Sequence, residues 1–108
     1  MPLPQITHLQ WLVLGTLLNG DEAGYRVREE LAKHGVKKSG PSFYQLMARL
    51  EADGMVKGRY EYSMIENQPI KERWYKLNAA GRRAWESTSE FYAAAAAAFQ
   101  GGPVDACG

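Results

Sequence analysis

Apolar residues follow three different rhythms along this chain. Between His8 and Leu18 the residues Leu9, Trp11, Leu12, Val13, Leu14, Leu17 and Leu18 wrap most of a helix's circumference. A surface helix with one buried stripe needs fewer, so this first helix requires two partners. Thr7 followed three residues later by Gln10 has the form of a capping box that starts it. "NGDE" at 19–22 ends it and opens a second helix, Ala23 to His34, with acids favourably placed at the new N-terminus. The apolar face of that helix reads as Tyr25, Val27, Leu31 and Ala32, and Gly35 is a natural left-handed stop. After "VKKSGPS", with Ser39 or Gly40 as cap and Pro41 in the first turn, Phe43, Leu46, Met47 and Leu50 fall at i, i+3, i+4 and i+7. They give a third helix one narrow buried stripe, closed by Gly54, and leave Ser42, Tyr44, Gln45, Ala48 and Arg49 on its outer face.

From Met55 the period drops to two. Val56, Gly58, Tyr60, Tyr62 and Met64 alternate with Lys57, Arg59, Glu61 and Ser63, as a half-buried strand requires. A turn at "ENQP" and a second strand, "KERWYKL", make a hairpin. Asn78 then caps a last helix from Ala79 to about Phe99, and the Gly-rich residues after it should be disordered. The expected fold is mainly α with a small β-hairpin (α+β). It divides into a unit of three helices and a hairpin over 7–77, a long last helix over 78–100 and a tail over 101–108.

Composition narrows the classes. A length of 108 residues suits one domain, and 45% hydrophobic with 23% charged residues is ordinary for a globular protein. No apolar run approaches the length of a membrane span, and "MPLPQITH" lacks the basic start and small-residue cleavage site of a signal peptide, so a cytoplasmic protein with no membrane partner is expected. The single cysteine, Cys107, has no second cysteine to pair with. Catalysis finds no constellation. His8 and His34 have no Cys, Asp or Glu companions at metal-ligand spacing, the serines no nucleophile elbow, the glycines no phosphate loop, and Glu29 and Glu30 point apart on a helix. Neither an enzyme nor a metal or other cofactor is expected.

Charge changes the picture only when it is counted locally. The net charge is +1, but residues 31–50 carry Lys33, Lys37, Lys38 and Arg49 with no acid, and the third helix lies inside that stretch. Its outer face combines a phenol, an amide and a guanidinium, groups suited to base edges and phosphates in a major groove. A short helix followed at once by a basic hairpin is the winged form of helix-turn-helix. On that reading Ser42, Tyr44, Gln45 and Arg49 approach the bases, Lys37, Lys38 and Ser39 reach phosphates just before the helix, and Arg59, Lys71 and Arg73 do so from the wing. Which wing residues point outward depends on a strand register the sequence leaves open.

The last helix asks for a second partner. Ala84, Trp85, Thr88, Phe91, Tyr92, Ala95, Ala98 and Phe99 recur at spacings of three and four, a stripe too long for a three-helix core to cover. A second copy of the chain would cover it, joined by Trp11, Leu14 and Leu18 of the over-hydrophobic first helix. The run Ala93 to Ala98 is a strong helix former that lets two backbones come close.

"LQWLVLGTLLNGDEAGYRVREEL", "SFYQLMARLEADGMV" and "RWYKLNAAGRRAW" resemble, in order and spacing, the PadR family of bacterial transcriptional regulators, over Leu9 to Trp85. The resemblance implies a winged helix-turn-helix homodimer built on the first and last helices, binding a palindromic operator in double-stranded DNA and usually repressing transcription. Tyr44 matches the family's recognition-helix tyrosine, Gly24 and Tyr25 its "GY" pair, and Gly81 its glycine after the wing. Ala23 stands where a histidine is usual, Gln45 where a proline is, and Pro41 with Ser42 where Gly-Thr is common, departures that bear on which operator is read. The single terminal helix resembles the compact subfamily, some of whose members hold flat aromatic compounds between tryptophans at the dimer centre. Trp11 and Trp85, with Thr88, Tyr92 and Phe99 near them on the last helix, would line such a pocket here. The rival reading is a winged-helix module that uses the same exposed helix for protein contacts, favoured by the modest net charge.

Overall fold

The computed structural model describes residues 3–101. Cys107 and all of the expected tail except Gly101 lie outside the described residues. Four helices and three strands follow in the order α1 (His8–Thr16), β1 (Glu22–Ala23), α2 (Gly24–Lys33), α3 (Gly40–Ala52), β2 (Val56–Ile65), β3 (Gln68–Leu77) and α4 (Ala79–Gln100). The sheet is antiparallel with strand order β1-β3-β2.

The reciprocal capping box forms as expected, with the Gln10 amide donating to Thr7 Oγ1 (3.1 Å) and the Thr7 amide donating to Gln10 Oε1 (3.0 Å). Val13, Leu14 and Leu17 of the first helical segment meet Val27 and Leu31 of α2, Phe43, Met47 and Leu50 of α3, and Val56 and Tyr75 of the sheet in one core. The stop after α3 is a left-handed Gly54 (φ +74°), with the Met55 amide bonding back to the Leu50 carbonyl (3.0 Å).

Three local expectations are corrected. Residues Glu22 and Ala23 are not helical; they pair with Tyr75 and Trp74 as a two-residue strand, and α2 begins one residue later, at Gly24. Two residues are too few for a strand rhythm to register in sequence. Tyr25 is 48% exposed and so is no part of the core, because Gly24, Val27 and Leu31 form the inward line of α2 and Tyr25 lies about 100° round from Gly24. Asn78 precedes α4 but does not cap it with its side chain. It is tied instead to the end of α3, its amide donating to the Met55 carbonyl (3.0 Å) and its Nδ2 to the Gly54 carbonyl (3.1 Å).

The hairpin turn is tighter than "ENQP" suggested. Glu66 and Asn67 alone form it, both at positive φ (51° and 64°), which matches the right-handed twist of the flanking strands. Pro69 sits within β3, where it opposes Met64; β1 covers β3 only at Trp74 and Tyr75, so the missing N–H costs no ladder bond on that side. The radius of gyration is 17.4 Å, against about 13 Å for a compact chain of this size. The outer wing and the far half of α4 extend beyond the core.

Candidate nucleic-acid interface

The start of α3 is held firmly. Ser39 Oγ accepts from the Ser42 amide (3.2 Å), and Arg28 Nη2 of α2 donates to the Lys38 carbonyl (2.8 Å), fixing the connection that carries Lys37 and Lys38. Lys38 Nζ donates to Ser42 Oγ (3.3 Å), which places an ammonium beside the first turn of the helix. Phe43, Met47 and Leu50 are fully buried, so the opposite face is committed to the outside, and Tyr44, Gln45 and Arg49 are exposed on it. Tyr44 rests at the start of α2: a Cβ on Gly24 would meet the Tyr44 hydroxyl at 3.2 Å and the Tyr75 ring at 3.4 Å. The sequence marked Gly24 only as half of a pair; its task of making room for two tyrosines needed the fold.

The register of the hairpin assigns the wing side chains. Tyr60 pairs with Arg73, Tyr62 with Lys71 and Met64 with Pro69, so these share one face, continuous with the core residues Val56 and Tyr75 and turned toward α3. Arg59, Glu61, Glu72 and Trp74 share the other. The alternation was legible, but its apolar face is not half-buried beyond Gly58: Tyr60, Tyr62 and Met64 are 52%, 71% and 66% exposed. An aromatic face with Lys71 and Arg73 and no carboxylate of its own lies beside α3, across a cleft of about 540 Å³ bordered by Tyr44, Ala48, Tyr60 and Lys71.

Arg59 and Arg73, both expected at phosphates, already have partners. Arg59 lies on the far face, its Nη1 on Asp21 Oδ2 (2.7 Å) and its Nε on Glu61 Oε2 (2.6 Å), with the guanidinium over Trp74. Facing away from α3, it has no part in the cleft. Arg73 faces the cleft, but its Nη2 donates to both oxygens of Glu51 (3.0 and 2.9 Å). Burial opposes its charge, yet the hydrogen bonds and charge of Glu51 more than offset this and raise its pKa. Lys71 Nζ lies 4.3 Å from the centre of the Tyr60 ring and is exposed at the cleft. Below it, burial pushes the Tyr75 phenol up to about 12.

The second surface lies along α1 and α4. Trp11 and Trp85 are stacked nearly parallel (ring centres 6.0 Å apart, 2° between planes), Tyr92 stands edge-on to Trp11 at 6.2 Å, and Trp11 Nε1 donates to Ser89 Oγ (2.8 Å). A hollow of about 210 Å³ opens beside the tryptophans, reaching Leu18, Leu31 and His34. Leu14 and Thr88, expected at this surface, are buried inside the protomer at 0% and 1% exposure, because both point into the seam between α1 and α4 and the elements beneath. Phe99 is 89% exposed.

Among the described residues no group of three or more His, Cys, Asp or Glu side chains could hold a metal ion, and no helix is long and apolar enough to cross a membrane.

Residues 13–87 match the Transcriptional regulator PadR-like family. No curated protein matches the sequence. Among solved structures, the chain is similar to a PadR family transcriptional regulator from Eggerthella lenta DSM 2243 (25% identity, TM-score 0.64, covering 84% of this chain and 77% of that one). A PadR family transcription regulator from Clostridium difficile R20291 superposes with a TM-score of 0.70 at 17% identity, over 88% of this chain and all of that one. Bacillus subtilis PadR, in a complex with operator DNA, superposes with a TM-score of 0.62 at 14% identity over 89% of this chain and 62% of that one.

Proposed function

The chain belongs to the PadR-like family of transcriptional regulators, and from that we propose that it works in the cytoplasm as a homodimeric repressor that reads a two-fold symmetric operator with α3. Residues 7–77 act as the DNA-binding unit and 78–100 as the dimerising helix. Tyr44, Gln45 and Arg49 approach base edges in the major groove, with Ser42 at the groove's edge. Lys37, Lys38 and Ser39 hold one phosphate strand, and Lys71 holds the strand that crosses the cleft between α3 and the wing. The observation that carries the reading is the joining of two outward faces without a free acid, that of α3 and that of the wing, across one open cleft of about 540 Å³. DNA bound by a relative of the same fold, the Bacillus subtilis PadR, supports it.

Dimerisation rests on the α1 and α4 surface, where Trp11, Leu18, Trp85, Tyr92 and Phe99 keep apolar area that the protomer leaves uncovered. A flat aromatic effector bound against Trp11 and Trp85 would release the operator by changing how the two copies meet.

Selection of the purified protein against a random duplex library at about 150 mM salt, followed by sequencing of the bound fraction, tests the reading. Enrichment of a palindrome with half-sites about one helical turn apart is expected. Binding without an enriched motif would overturn it in favour of a winged-helix module that docks proteins, a reading to which the net charge of +1 and the internally paired Arg59 lend their weight.

A further inference from the structure

The one carboxylate on the α3 side of the cleft is Glu51, and it is fully engaged. Besides the two bonds from Arg73 Nη2, its Oε2 accepts from the Gly58 backbone amide at 3.3 Å. Three hydrogen bonds from two donor atoms, one on each wing strand, thus converge on one side chain at the end of the recognition helix. Arg73 is braced from the other side by Tyr60, whose ring centre lies 4.6 Å from its guanidinium carbon. Gly58 leaves the space the pair occupies: a Cβ there would stand 2.5 Å from Arg73 Nη2 and 2.9 Å from the Glu51 carboxyl carbon. An acid facing a nucleic-acid cleft weakens general attraction to phosphates, so its presence there needs a purpose.

We propose that Glu51 and Arg73 are positioning residues that fix the separation between recognition helix and wing, and thereby set how sharply this protein distinguishes its operator from other DNA. The inference rests on the DNA-binding reading above. A helix in the major groove and a wing on the neighbouring backbone engage together only when their spacing matches that of the duplex. A rigid strut holds that spacing before DNA arrives, so operator binding spends nothing on ordering the wing. Arg73 serves here through Glu51, with its charge compensated, and Lys71 remains the cation that meets phosphate.

The test compares Kd for the selected operator and for a scrambled duplex, each over a salt series, in the full-length wild type, E51Q, R73K and G58A. The last variant keeps every charge and drives the pair apart from outside. All three variants should lose about tenfold on the operator; R73K and G58A, which keep every charge, should lose less than about twofold on the scrambled duplex with its salt slope unchanged, and E51Q, which removes an acid from the cleft, should not weaken there. The double variant E51Q/R73K should be no worse than either single one. If E51Q instead tightens both duplexes and steepens the salt dependence, Glu51 merely restrains a phosphate-binding Arg73 and the proposal fails. It fails equally if the variants melt lower while the operator-to-scrambled ratio of the folded protein stays at the wild-type value. Each of these failures leaves wild-type discrimination, and with it the DNA-binding reading, intact. A wild type that does not discriminate removes both.

Discussion

At the scale of single residues, the wing separates two arginines that look equivalent in sequence. Arg59 and Arg73 both lie in a basic hairpin, yet one faces Asp21 and Trp74 and the other Glu51 and Tyr60. Lys38→Ala should weaken binding to every duplex and flatten the salt dependence by about one counterion, whereas Arg59→Ala should leave that slope unchanged; anisotropy titrations over a salt series read both. Gln45→Ala should change base preference in a repeated selection without flattening the slope. Tyr75 gives a pH prediction. Its phenol is held protonated up to about 12 by burial, while in the unfolded chain it releases its proton near the ordinary value of about 10. The unfolded state therefore binds fewer protons across that window, and stability falls as pH rises from about 10 to about 12. In Tyr75→Phe that part of the alkaline loss disappears from denaturant melts recorded at each pH. What sequence could name was the cation or the aromatic; what it could not name was the partner, since Asp21 is 38 positions from Arg59 and Glu51 is 22 from Arg73.

At the scale of elements, rhythm predicted type better than surroundings. The period of two in β2 predicts the strand and its two faces, but apolar character does not predict burial beyond Gly58: Tyr60 lines an open cleft, and Tyr62 and Met64 are exposed. The stripe of three and four predicts the last helix, α4, and its near half packs on α1 through Trp85, Ser89 and Tyr92 against Trp11, while Phe99 remains open. Leu14 and Thr88 were placed on the same surface because a helical stripe gives a direction and not a depth. Replacing Phe99 by Asp should shift sedimentation of the purified protein from dimer toward monomer, with little change in its melting as a monomer, because that side chain is 89% exposed in the protomer. Two-residue β1 was invisible, since nothing in "EA" distinguishes a strand from the turn before a helix.

At the scale of the whole molecule, the two projecting parts meet at one joint. The end of α3 and the start of α4 are fastened by Asn78 to Gly54 and Met55, and Gly81 packs directly on the Met55 carbonyl, with no room for a Cβ. Gly81→Ala should cost about 1–3 kcal/mol in denaturant melts, because the obstacle is backbone that cannot turn aside as a side chain would. On the dimeric reading proposed above, the joint would make each protomer a caliper arm: in a pair clasped along α4, the angle between the shafts would become the distance between the jaws. Each base pair inserted between operator half-sites moves the far jaw's target by about 3.4 Å and turns it by about 34° around the duplex. A single inserted pair should then be felt as severely as a wrong base at the centre of a half-site, and inserting a full helical turn should restore the angle while leaving the jaws too far apart to close.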